Sequence, residues 1–386
     1  MTIVLVVVDS GGIGAAPDAD RFGDAGADTL GHALAVRPAP LGQLDRLGLG
    51  RLYGRPDAPA PDGAAFRVHP AAAGKDTLAG HWEMMGVVVR TPFPTYPDGF
   101  PPDVVARLEA AFGRPLLGNR PASGTAIIEE LGPEHLATGR PIVYTSADSV
   151  LQIAAHEEVV PVTTLYAWCE AARRIMTGPH AVGRIIARPF VGTPGRFVRT
   201  ARRHDWPVIP PPGILTRRLA AAGVEVVGIG KIDDIFAHQG ITTAYRTTSN
   251  ADGLARTLAE LGRPAAGPRL VFTNLVDFDS LWGHRRDPAG YVAGLEALDA
   301  WVGAARAALG PADQLWITAD HGCDPTWPGS DHTREDVPWL AVGPAVRPGT
   351  LGERSTLADL GATLAEAFGV EPAAVGRSAW GALVAD

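Results

Sequence analysis

Five short apolar runs limit the folds open to this chain: "TIVLVVV" (2–8), "VEVVGIG" (224–230), "RLVFTNLV" (269–276), "QLWITA" (314–319) and "WLAVG" (339–343). Such β-branched or apolar runs suit strands buried on both faces of a parallel sheet. Helical patterns lie between them. "ILTRRLAAAG", "ADGLARTLAELG" and "AGYVAGLEALDAWVGAARAALG" end in glycine, a common helix stop, and "STLADLGATLAEAFG" opens on a Ser/Thr cap. Alternation of this kind predicts an α/β sandwich around a mostly parallel sheet.

The alternation is interrupted once. Two proline-rich passages, "TPFPTYPDGFPPD" (91–103) and "WPVIPPPG" (206–213), bracket the interruption. Proline fixes φ and removes a backbone donor, so these passages resist both helix and central strand and suit hinges. The stretch between them is about a hundred residues, a usual domain size. A chain of 386 residues is in any case too long for one typical core. The expected division is therefore a core built from 1–91 and 213–386, and an inserted domain, 92–212.

Composition narrows the function classes. With 46% hydrophobic and 20% charged residues the chain reads as soluble and globular. A net charge of −8 disfavours a nucleic-acid partner. The two cysteines, Cys169 and Cys323, are far apart and form no CxxC, which fits a reducing cytoplasm. The first apolar run has no basic residues ahead of it and stops at Asp9, too short for a secretory leader or a membrane span. The expectation is a cytoplasmic protein with no membrane partner.

In open α/β sheets, function gathers at the carboxyl ends of the strands. Asp9 follows the first run. Asp277, Asp279 and His284 follow the third, Asp320 and His321 the fourth, and His332 comes a loop later within "SDHTRED". Any one of these is more often a turn or helix-cap residue. Together they are harder to explain without cations, because converging carboxylates raise one another's pKa. Counting one of Asp277 and Asp279, three Asp and three His would give each of two divalent ions about three protein ligands and leave open positions. Mixed carboxylate and imidazole ligation suits Mn²⁺ or Zn²⁺ better than Ca²⁺. Paired metals are a recurring device for phosphoryl transfer.

Two further passages bear on phosphate. In "GKDTLAGHWEMMG" (74–86), Thr77 stands where a helix could begin, in a field that favours phosphate; Asp76 or Thr77 could equally cap that helix. From Ala171 to His204 there are eight arginines, including Arg184 and Arg188, and no acid. That reads as a solvated face, a nucleic-acid patch or a clamp for a small phosphate. The segment has only Phe190 and Phe197 for base stacking, which favours the clamp.

These passages, with "VVDSGGIGAAPDADRFGDAGADTLGH", "PIVYTSADSVLQIAAHEE", "GRIIARPFVGTPGRFVRTARRHD", "IGKIDDIFAHQGIT", "FTNLVDFDSLWGHRRD" and "ITADHGCDPTWPGSDHTREDVPWL", resemble the phosphopentomutase family of the alkaline phosphatase superfamily, in order and over nearly the whole chain. The resemblance implies an alkaline-phosphatase-like core with an inserted α+β cap. It implies two Mn²⁺ ions, one held by Asp279, His284 and His332, the other by Asp9, Asp320 and His321 beside the Thr77 hydroxyl. Asp279 is preferred to Asp277 because the family's ligand stands five residues before the histidine. Thr77 would be the phosphoacceptor; the second threonine common in the family's motif is Ala79 here. Asp148 of "TSADS" would contact a sugar hydroxyl, and Arg184, Arg188 and Lys231 the substrate phosphate. The implied activity interconverts α-D-ribose 1-phosphate and D-ribose 5-phosphate, and their 2-deoxy forms, through a phosphothreonine and a bisphosphate. Glucose 1,6-bisphosphate or a pentose bisphosphate would be the activator, nucleoside salvage the role, and a monomer the working state.

Overall fold

The computed structural model describes residues 1–55, 57–146 and 149–384. The expected substrate residue Asp148 lies outside them. The chain divides into two compact units, Met1–Pro92 with Pro210–Asp386, and Phe93–Ile209. In chain order the strands begin with β1 (Thr2–Val8), β2 (Ala64–Val68), β3 (Leu117–Pro121), β4 (Ile142–Thr145) and β5 (Val150–His156). There follow β6 (Arg184–Val191), β7 (Val198–Arg199), β8 (His204–Pro207), β9 (Glu225–Ile229) and β10 (Thr243–Tyr245). The last four are β11 (Arg269–Leu275), β12 (Gln314–Ala319), β13 (Val337–Val342) and β14 (Gly349–Arg354).

The larger unit holds an eight-stranded sheet in the order β10-β9-β11-β1-β12-β13-β2-β14. Strands β10 through β12 run parallel, as their both-face burial predicts. Every residue of β1, β11, β12 and β13 is buried. Helices Thr29–Val36, Asn250–Gly262 and Pro288–Ala308 cover one face, where Val4, Val6 and Val8 of β1 meet Leu254, Leu295 and Leu298. The run at 339–343, read as a parallel strand, is antiparallel to β12. No helix separates the two strands, and a parallel pairing needs a crossover of a dozen or more residues that returns the chain to the sheet's other end. Helix Ala358–Ala367 also differs from expectation. Its N-cap is Leu357, which makes no side-chain cap, while Thr356 Oγ1 accepts from Ala358 N at 3.1 Å.

The smaller unit is α+β. Its sheet has the order β3-β4-β5-β6-β7, with β8 also on β6, and mixes parallel with antiparallel pairs. Period-two alternation along β5 divides its core. Leu151, Ile153 and Ala155 face helices Pro102–Phe112 and Val162–Ile175, whereas Ala154 faces helix Gly124–Thr138. Arg184 and Arg188 lie on β6, both half-buried.

Candidate metal centre

Register explains why the acids converge. Val8 at the end of β1 pairs with Leu275 of β11 on one side and Ala319 of β12 on the other. The three strands stop level, so the residues that follow them share one sheet edge. Asp9 and Asp320 are the first residues past their strands, and both are buried.

Asp279 is delivered by a wider turn. Residues Phe278–Gly283 form a π-helix, a form that recurs at functional sites, and His284 N donates to Asp279 O at 2.9 Å. Asp277 is engaged elsewhere: its Oδ2 accepts from Asn250 N at 2.7 Å. His332 comes from the loop between β12 and β13. Its Nε2 is 3.1 Å from Asp279 Oδ1 and 3.1 Å from His284 Nε2, and the latter is 3.4 Å from Asp279 Oδ1. His284 Nδ1 is 2.6 Å from Ser330 O, so the proton sits on Nδ1 and the Nε2 lone pair faces Asp279 and His332.

The second group lies beside the first. His321 Nε2 is 3.5 Å from Asp9 Oδ1 and 3.4 Å from Asp320 Oδ2. His321 is also within a ligand sphere's reach of Asp279 and His332, and the His321 and His332 rings lie 4.1 Å apart, so the groups adjoin. Asp76 caps helix Thr77–Met84, accepting from Ala79 N at 3.1 Å. That leaves the Thr77 hydroxyl free of capping. Its Oγ1 stands 3.4 Å from Asp9 Oδ1 and 3.4 Å from His321 Nε2.

These residues fit divalent ions. Donor atoms about 2.1 Å from one ion stand roughly 3.0–3.4 Å apart, close to the separations in both groups. Asp320 Oδ2 is buried without a hydrogen bond among the described residues, although His81 Nδ1 approaches to 3.1 Å. Burial, then the neighbouring charges of Asp320 and Asp279, push the Asp9 carboxyl well above its ordinary pKa. His321 is raised as well: burial lowers its pKa, but Asp320, Asp9 and Asp279 outweigh burial and raise it to about 9. Burial raises the Asp279 and Asp320 carboxyls, but the neighbouring histidines outweigh it and hold both low; the carboxyl left uncompensated is that of Asp9, and an ion would supply the missing positive charge.

Several residues around the site carry no signal in the sequence. Asn274 Nδ2 donates to Asp9 Oδ2 at 2.9 Å and lies 3.4 Å from His81 Nε2. His81 Nδ1 is 2.9 Å from Thr77 O, so this pair links helix Thr77–Met84 to Asp9 and Asp320. Glu335 accepts from Thr29 N, Thr29 Oγ1, Thr333 Oγ1 and Gly14 N at 2.6–3.2 Å. Arg334 spans Asp18 and the carbonyls of Pro70 and Ala72, tying the loop before Thr77 to the loop that bears His332. Cys323 Sγ is 4.0 Å from His284 Nδ1; burial and Asp279 push its thiol up to about 12, so it stays protonated. Lys231, exposed just past β9, sits near enough to Asp9 to offset part of its shift. In the smaller unit Arg188 Nε donates to Gln152 Oε1 at 3.0 Å, and Arg184 lies 3.9 Å from Asp205.

The Metalloenzyme superfamily matches residues 1–372. The phosphopentomutase of Anaeromyxobacter sp. is 56% identical over 373 residues, 95% of each chain. The chain belongs to the phosphopentomutase family. The family's phosphopentomutase from Caldanaerobacter subterraneus subsp. tengcongensis is 50% identical over 380 residues, 97% of this chain and 96% of that one. Among solved structures, a Leishmania mexicana phosphoglycerate mutase at low cobalt concentration matches with a TM-score of 0.50 and 15% identity, over 98% of this chain and 97% of that one. That likeness speaks to the fold alone.

Proposed function

We propose that this protein is a metal-dependent phosphopentomutase, interconverting α-D-ribose 1-phosphate and D-ribose 5-phosphate, and the 2-deoxy forms, through a phosphothreonine at Thr77. The observation that carries this reading is the Thr77 hydroxyl, at a helix N-terminus and 3.4 Å from both Asp9 Oδ1 and His321 Nε2. Asp279, His284 and His332 would hold one ion, and Asp9, Asp320 and His321 another, with Mn²⁺ the preferred occupant. Such ions, when bound, neutralise charge on the transferring phosphoryl group and make a neighbouring hydroxyl more acidic.

Phosphate on Thr77 passes to the free C5 hydroxyl of ribose 1-phosphate. The Oγ1–P bond breaks, an O5–P bond forms, and the hydroxyl's proton ends on Thr77 Oγ1. The ribose 1,5-bisphosphate then turns round. Thr77 Oγ1 attacks the phosphorus at C1, the O1–P bond breaks, and the proton leaves with O1, giving ribose 5-phosphate and restoring phosphothreonine. The field of the helix N-terminus favours the phosphoryl group on Thr77. Asp148 is assigned to a sugar hydroxyl, and Arg184, Arg188 and Lys231 to the substrate phosphate. The insert acts as a cap on proline hinges, keeping water from the phosphothreonine. A molecule that has lost its phosphate regains it from glucose 1,6-bisphosphate or a pentose bisphosphate. The setting is cytoplasmic nucleoside salvage by a monomer; no helix among the described residues is long and apolar enough to cross a membrane.

Thr77 is testable directly. Incubation with glucose 1,6-bisphosphate should add one phosphate to the peptide containing "DTLAGH", seen by mass spectrometry. Thr77→Ala should lose both that phosphate and mutase turnover, and Thr77→Ser should keep part of each. Full turnover in Thr77→Ala would end the phosphothreonine reading.

A further inference from the structure

Ser10 is held in a backbone conformation that serine does not choose. Its φ is +74°, in the left-handed region where a Cβ is disfavoured and glycine is free. Glycines stand at the next two positions, 11 and 12, yet a side chain is kept at 10. Ser10 is fully buried, and its N–H and hydroxyl reach the site. Its N–H donates to Asp320 Oδ1 at 3.1 Å. Its hydroxyl donates to Asp279 Oδ1 at 2.8 Å and lies 3.4 Å from His321 Nδ1. Its carbonyl accepts from the Tyr291 hydroxyl at 2.8 Å, fixing the peptide that follows Asp9.

The roles of these contacts follow from donor and acceptor chemistry. An ionised Asp279 can only accept, so the Ser10 proton points at Oδ1, the same oxygen that faces His284 and His332. His321 Nδ1 is 3.0 Å from Gly322 O, which makes Nδ1 a donor and turns Nε2 toward Asp9 and Thr77. The Ser10 oxygen is then free to accept from that Nδ1–H. One hydroxyl thus touches a carboxylate of the first group and an imidazole of the second.

We infer that Ser10 is a positioning residue for both metal sites, aiming Asp279 Oδ1 through its hydroxyl and Asp320 Oδ1 through its backbone. The inference rests on the reading of the six acids and histidines as a two-ion centre. The strained φ is tolerated because glycine, which would relieve it, has no hydroxyl. A role in folding alone predicts that glycine here is harmless or damaging to stability; positioning predicts a separation of stability from metal affinity.

The test uses Mn²⁺ titrations of chelator-treated full-length protein, with thermal melts of the metal-free form. Ser10→Gly should melt at or above the wild-type temperature when metal-free, because the strain is gone. Its Mn²⁺ affinity at the site that His332→Ala also impairs should fall about 10–100-fold, the usual effect of losing a partner behind a ligand. Ser10→Ala should show the same weakening with a lower metal-free melting temperature than Ser10→Gly. Wild-type affinity in Ser10→Gly would overturn the inference, as would a metal-free Ser10→Gly destabilised as far as Ser10→Ala. Wild-type protein that takes up no Mn²⁺ would instead overturn the metal-centre reading, and this one with it.

Discussion

At the scale of single residues, the six proposed ligands were visible in the sequence because each directly follows an apolar run or sits in a dense polar one. What the sequence did not reveal is what stands behind them. Asn274 is the penultimate residue of β11 and reads as a strand residue, but its amide is spent on Asp9 Oδ2, 265 positions away. Asn274→Ala should free Asp9 and leave His81 Nε2 without its neighbour. Mn²⁺ affinity of the Asp9 group should drop about 10–100-fold, read by titration; an unchanged isotherm would show that Asn274 holds nothing. Ser10 and His81 were equally illegible, since φ and contacts across more than a hundred residues leave no local pattern. The sequence did suggest that Asp76 or Thr77 caps the helix that begins at Thr77. The cap is Asp76, which explains how Thr77 keeps its hydroxyl for the site.

At the scale of elements, the strongly apolar strands were legible and the sheet's far edge was not. Strands β2 and β14 are short and carry Arg67, Glu353 and Arg354, so their patterns resemble loops. They are strands because β13 and each other supply hydrogen-bond partners. A polar clasp reinforces this edge. His69 Nδ1, just past β2, is 2.6 Å from Asp336 Oδ1, and Nε2 is 3.4 Å from Glu353 Oε2 on β14; Arg67 also reaches Asp336 at 3.0 Å. Burial lowers the His69 pKa, but the two carboxylates outweigh burial and raise it. A raised folded pKa gives stability that is complete below the unfolded value of about 6.5 and is lost as pH climbs through the folded value. His69→Gln should therefore lower the melting temperature at pH 6 and change it little at pH 9. Equal losses at both pH values would count against a charged His69. The loop between β12 and β13 has its own pin in Glu335. Burial pushes that carboxyl up to about 7 despite four hydrogen bonds that favour its charge. Glu335→Ala would strand buried donors of Thr29, Gly14 and Thr333, at roughly 2–4 kcal/mol, measurable by urea unfolding. A loss within error would mean those donors find water.

At the scale of the whole molecule, each hydrophobic cluster falls within one compact unit or the other. All six proposed ligands and Thr77 fall in the unit made of Met1–Pro92 and Pro210–Asp386. A protein joining 1–92 to 210–386 through a short Gly-Ser linker should fold, bind Mn²⁺ and show no mutase turnover. An unfolded circular-dichroism spectrum would contradict independent folding. The central claim is that phosphate moves between two oxygens of one pentose by way of Thr77, without escaping to water. The most direct measurement is ³¹P NMR of α-D-ribose 1-phosphate with the Mn²⁺-loaded, glucose 1,6-bisphosphate-primed protein. The account predicts that the ribose 1-phosphate signal gives way to ribose 5-phosphate with no stoichiometric rise in inorganic phosphate; release of one inorganic phosphate per sugar consumed would contradict it.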